Sequence, residues 1–189
     1  MPVQATEPER RTEASRSEGD GDAGRNALTR RWRGASDRER LLQFVQPSLI
    51  GLIDGTVSTL APIFAMAYAF GSRAALLAGL AASFGAAISM AASEGLSDDG
   101  KLTGRGSSLA RGTLTGLATF VGGTVHTLPF LIADVSRALP VAYVVVAVEL
   151  VLIAFVRKHY LKVSLVGSLA KVTFVGALVA GVGVWVGHA

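Results

Sequence analysis

The stretch PSLIGLIDGTVSTLAPIFAMAYAF, residues 47–70, decides how the chain is read. A helix needs about 20 mostly apolar residues to cross the roughly 30 Å hydrocarbon core of a bilayer, and this stretch is long enough. It has one charged residue, Asp54, set among Gly55, Thr56, Ser58 and Thr59. Four more apolar segments of spanning length follow at approximately 73–96, 111–132, 139–157 and 164–187. The connections between them are short, which predicts an all-α membrane protein with five transmembrane helices over 47–189.

Composition agrees. The chain has 189 residues, of which 17% are charged, against about 25% in an average soluble domain. Residues 1–46 hold 17 of the 32 charged side chains, leaving 15 for the 143 residues that follow. So little charge over so long a stretch excludes a soluble enzyme, a nucleic-acid binder or a disordered protein as a reading of the whole. There is no cysteine, so disulfides, thiolate metal sites and thiol catalysis are excluded too. The sequence pI of about 9.9 reflects arginines and lysines in the tail and loops, where membrane topology accounts for them without nucleic acid.

Residues 1–35 are too polar to bury a core and are expected to form a disordered tail. Ser36-Asp37-Arg38-Glu39 has the pattern of a capping box. With Leu41, Leu42, Phe44 and Val45 after it and Pro47 closing it, 36–46 reads either as an amphipathic helix at the membrane surface, near Trp32 and the arginines, or as a frayed linker. With the tail in the cytoplasm, inner segments carry eleven basic residues (Arg30, Arg31, Arg33, Arg38, Arg40, Lys101, Arg105, Arg111, Arg157, Lys158 and Lys162), and outer loops only Arg73 and Arg137. That asymmetry predicts a cytoplasmic N-terminus and, for five spans, an external C-terminus. Small residues recur at four-residue spacing: Gly51 and Gly55; Ala78, Ala82 and Ala86; Gly112 and Gly116; Gly176 and Ala180; Gly183 and Gly187. Such spacing permits close helix packing in lipid, within one chain or between two.

The four charges inside spans mark the candidate site. A carboxylate at a helix centre costs about 2.5–3.5 kcal/mol on insertion scales, so Asp54 needs a partner or a function. At 1.5 Å per residue it lies roughly 10 Å inside the first span, and Met90 of the second lies roughly 9 Å inside from the same side. Glu94 shares a helix face with Met90, one turn nearer the cytoplasm. Carboxylate oxygen with thioether sulfur suits a transition-metal dication better than Mg²⁺ or Ca²⁺. The competing readings are plain: methionine fills apolar cores, and a glutamate near a helix end reaches the interface. Glu149 and Lys171 fall at similar depth in the fourth and fifth spans, which predicts an ion pair between them, with proton coupling by Glu149 as the alternative. His126 is either a proton relay or a hydrogen-bonded structural histidine. Ser97-Asp98-Asp99-Gly100-Lys101 either gathers cations or forms a solvated turn.

Asp54-Gly55 followed by Ser89-Met90-x-x-x-Glu94 resembles the vacuolar iron transporter family. The run from Gly79 to Ser83 and on through Ser97-Asp98-Asp99-Gly100-Lys101-Leu102-x-Gly104-Arg105-Gly106 looks more specifically like the transporter domain of bacterial membrane-bound ferritins. The resemblance covers about residue 46 to the end and is strongest over the first three helices. It implies a homodimer with the ion path at its two-fold interface, in a bacterial cytoplasmic membrane, exporting Fe²⁺ or Mn²⁺ from the cytosol against protons. Asp54 and Met90 would then line the path and Glu94 stand at its cytoplasmic mouth. Such a protein is not an enzyme and holds no cofactor, the metal being its cargo. Four departures stand out. Only the loop 97–110 occupies the place of the Glu- and Met-rich cytoplasmic domain of many members, and no ferritin-like domain is present. Ala82 stands where some members have Glu, and His126 where the family has Pro. Metal capture would rest on fewer ligands or on a soluble iron-binding partner. The alternative expectation is a non-transporting scaffold that anchors such a partner through the tail.

Overall fold

The computed structural model describes residues 37–97, 99–100 and 103–189. The expected tail of residues 1–35, and Ser36, Asp98 and Lys101, lie outside the described residues. The chain divides into two compact units, Met1–Arg40 and Leu41–Ala189. Of the first, Asp37–Arg40 is described and is an exposed helical turn.

The second unit is helical throughout, without a strand among the described residues. A π-helical turn, Leu41–Val45, leads directly into α1 (Gln46–Ser58); α2 (Leu60–Phe70), α3 (Ser72–Ser97) and α4 (Ser108–Val125) follow. A 3-10 turn at Leu128–Leu131 precedes α5 (Val135–Leu161) and α6 (Leu165–Gly187). Pro47 does not end a helix as its position suggests. It sits at the second residue of α1, just past the widened π turn, where a missing N–H and a bulky ring meet a loosened ladder. The first span is instead interrupted at Thr59. Pro62 cannot donate to the Ser58 carbonyl one turn back, and a break there follows.

Four helices are long and apolar enough to cross a membrane: Asp37–Phe70, Ser72–Ser97, Val135–Leu161 and Leu165–Gly187. That mark is one of a multi-pass membrane protein. Outward-facing Ile88 and Phe174 are each 70% exposed, a surface that lipid tolerates and water does not. α4 is the helix that falls short. Its buried residues are Arg111, Gly112, Thr115, Gly116, Thr119, Gly122 and Gly123, and it packs between α1 and α3. A helix walled by protein on two sides offers lipid only one face, here Leu109, Leu117 and Val121, so the rest of its sequence carries glycine and threonine instead of continuous apolar residues.

The small-residue spacings are used inside the chain. A Cβ at Gly51 or Gly55 would overlap the Thr115 or Thr119 carbonyl of α4, and Gly112 and Gly116 lie against Ala91 and Ala87 of α3. Gly183 and Gly187 lie against Ala61 and Ala65 of α2. α5 is longer at both ends than the apolar run 139–157. Asp134 caps it by accepting from the Ser136 N–H at 3.0 Å, and Lys162 in the left-handed region ends it. The Tyr68 and Tyr143 hydroxyls join α2 to α5 at 2.9 Å. Tyr143→Phe should lower the thermal unfolding midpoint modestly, reflecting about 0.5–1.5 kcal/mol for one such bond; an unchanged midpoint would mean the bond contributes nothing.

Candidate functional site

On α1, residues 50, 53, 54, 57 and 58 repeat at helical spacing and share one face. Ile50, Ile53, Asp54, Val57 and Ser58 accordingly line a single pocket of about 460 Å³. Met90 of α3, Arg157 of α5, and Lys171, Val172 and Val175 of α6 complete its wall. The close approach of Gly51 and Gly55 to α4 fixes how α1 is turned, and thereby how Asp54 is aimed. A second hollow of about 390 Å³ shares Ile50, Ile53 and Arg157 and continues to Leu41 and Gln46. Asp54 and Met90 thus meet in one pocket, as their matched depths suggest.

Comparison with protein-family models, with curated proteins and with solved structures returned no match. What the chain does has to be argued from its own residues.

No hydrogen bond or ion pair reaches the side chain of Asp54 or Lys171 among the described residues. The pocket therefore holds one free carboxylate, one thioether and two cations. Two donor groups do not complete a transition-metal shell, and no cluster of three His, Cys, Asp or Glu occurs among the described residues. The cations also oppose a dication by simple Coulomb repulsion.

Glu94 is placed elsewhere. Its Oε1 accepts from Arg105 Nη2 at 2.6 Å and from Arg111 Nε at 2.8 Å. Arg111 Nη1 also donates to the carbonyls of Arg105 and Gly106, at 3.1 and 3.0 Å. Glu94 is a structural anchor for the turn after α3 and does not line the pocket.

The expected Glu149–Lys171 pair is not formed. Glu149 Oε2 lies 2.9 Å from His126 Nδ1, and Lys171 faces the pocket with Asp54. Depth along a span says nothing of which way a side chain points around the helix, and that direction separates the two. His126 occupies the C-cap of α4 and its Nε2 lies 2.8 Å from Thr59 Oγ1. Arg111 and Arg157 were legible only as basic span ends. The signal for Arg111 was its place next to Gly112-x-x-x-Gly116, the face that α4 buries.

Proposed function

We propose that this protein is a transporter of divalent transition-metal ions, Fe²⁺ first and Mn²⁺ second, exporting them from the cytosol in exchange for protons. The observation that carries the reading is the convergence of Asp54 and Met90, from two different spans, on one pocket in which Asp54 has no partner. An unpaired carboxylate inside a membrane marks an ion or proton path more often than a packing device. The resemblance of Asp54-Gly55 and Ser89-Met90-x-x-x-Glu94 to vacuolar iron transporters points the same way. In this reading α4 is a fifth span, the N-terminus is cytoplasmic and the C-terminus external.

One protomer offers one oxygen and one sulfur donor, so a homodimer would bring two Asp54–Met90 pairs to a shared path and reach four donor groups. Arg157 and Lys171 would keep affinity moderate, which suits passage better than storage. Those two cations favour a second reading, in which a small anion is the cargo and Asp54 their counter-charge.

Proteoliposomes under a pH gradient separate these. Wild-type protein should move Fe²⁺ and Mn²⁺ above empty vesicles. Asp54→Asn should slow that flux at least about tenfold, equivalent to about 1.4 kcal/mol of ion binding, and Met90→Leu, a nearly volume-conserving change, should slow it less. Absence of metal flux, or wild-type rates in Asp54→Asn, would defeat the metal reading. Chloride or phosphate flux in its place would support the anion. Neither flux would leave the membrane scaffold.

A further inference from the structure

Between the first span and α5 runs a buried chain of polar groups that the pocket does not use. Thr59 Oγ1 donates to the Gly55 carbonyl at 2.8 Å, the back-bond a threonine makes within a helix. His126 Nε2 lies 2.8 Å from the same Oγ1, and His126 Nδ1 lies 2.9 Å from Glu149 Oε2. Thr59 is 0% exposed, His126 1% and Glu149 8%.

Counting protons assigns the chemistry. A hydroxyl has one hydrogen, and that of Thr59 is given to Gly55. With the hydrogen so placed the oxygen accepts from His126 and Nε2 carries a proton, whereas a Thr59 hydroxyl turned to donate to Nε2 would put the proton on Nδ1. The bond between Nδ1 and Oε2 then needs one more, held either as imidazolium with carboxylate or as imidazole with carboxylic acid. In both forms the pair is neutral overall. Loss of that proton would set two lone pairs face to face and leave a bare carboxylate in the membrane interior, which is costly without a nearby positive charge.

We propose that His126 and Glu149 form a one-proton binding site, with Thr59 as the positioning residue that fixes the histidine tautomer and links the site to the Asp54 pocket. The link is short. Asp54 precedes Thr59 by five residues, about 7.5 Å of helix, and Thr59 stands at the interruption between α1 and α2, where a shift of one half-helix changes the hydrogen bond to His126. A dication at Asp54 favours release of the proton, and its departure favours recapture. This use of the site rests on the transport reading above; its existence does not.

Other titratable groups on the surrounding helices are engaged elsewhere or stand apart. Asp54 on α1, Arg157 on α5 and Lys171 on α6 line the pocket. Tyr68 on α2 and Tyr143 on α5 bond each other. Glu94 on α3 and Arg111 on α4 are joined together. None of these forms a hydrogen bond or ion pair with His126 or Glu149 among the described residues.

The test uses the full chain in lipid nanodiscs, labelled with ¹⁵N-histidine. His126, His159 and His188 are assigned from His159→Gln and His188→Gln variants. From pH 5 to 9 the His126 Nε2 should remain protonated, with Nδ1 in a strong shared hydrogen bond, whatever pH dependence the exposed His159 and His188 show. A His126 that titrates in that range, or that carries its neutral-form proton on Nδ1, overturns the proposal. In vesicles, the ratio of metal flux with and without a pH gradient should fall to one in Glu149→Gln. A ratio kept at the wild-type value also overturns it. If Glu149→Gln loses all flux or fails to fold, the wild-type nitrogen spectrum decides alone. Wild-type protein with no metal flux but the expected spectrum would refute the transport reading and leave the proton site standing.

Discussion

Arg111→Ala should destabilise the protein by about 3–5 kcal/mol, the cost of removing one partner from a buried ion pair. The guanidinium is 1% exposed and lies 2.8 Å from Glu94. It also holds two carbonyls of the turn that precedes α4, those of Arg105 and Gly106. Alanine would leave Glu94 with Arg105 alone and those carbonyls without this donor. Arg111→Lys should recover little, because one ammonium cannot reproduce a planar fork that reaches a carboxylate and two carbonyls together. Arg105→Ala should cost much less, since that side chain is 19% exposed and water replaces part of what it gives. Thermal unfolding of the purified protein in detergent reads all three. Equal midpoints for Arg111→Ala and Arg105→Ala would mean that burial of the pair contributes nothing.

Arg111 also illustrates where sequence reasoning stops. Scarcity of charge identified a helical membrane protein, and depth along each span brought Asp54 and Met90 to one level, where a pocket joins them. Depth is a one-dimensional quantity, however. It ranked Glu149 and Lys171 as neighbours, and the rotation of α5 and α6 sends one to His126 and the other to the pocket. Charge counting treated Arg111 as a topology signal, although the glycines that follow it press α4 so close to α3 that the arginine is enclosed. Hydropathy read α4 as an ordinary span. Its two protein neighbours explain why it is less apolar than the four helices of spanning length. Pro47 read as a stop because the π turn that accommodates it has no signature in residue type. The cap at Asp134 was legible in principle, as a short acidic residue before a helical run, but apolar composition concealed the start of α5.

Gly55→Val should be the most damaging substitution on the pocket helix. Its Cβ would overlap the Thr119 carbonyl oxygen and stand 2.8 and 2.9 Å from the Thr119 carbonyl carbon and Cα. All three atoms are backbone, so no rotamer change relieves the contact; α1 has to move away from α4. Overpacking of this kind costs about 1–3 kcal/mol and occasionally more. The upper end is expected here, because in lipid close helix contact is itself the source of association. Gly181→Val supplies the control, since nothing lies within 4 Å of a Cβ at that helical glycine, and its midpoint should stay close to that of the wild type. The functional consequence separates Gly55 from an ordinary packing position. Asp54 precedes it, and Thr59 back-bonds to its carbonyl, so displacement of α1 disturbs the pocket and the His126 hydrogen bond together. Gly55→Val should therefore lose metal flux in vesicles even at temperatures where the variant remains folded. Gly183→Val meets a similarly close backbone at Ala61 of α2 but lies outside the pocket wall, and should lose stability with a smaller loss of flux per folded molecule. If the two variants lost flux in proportion to stability alone, the coupling of the Gly55 contact to the pocket would be wrong.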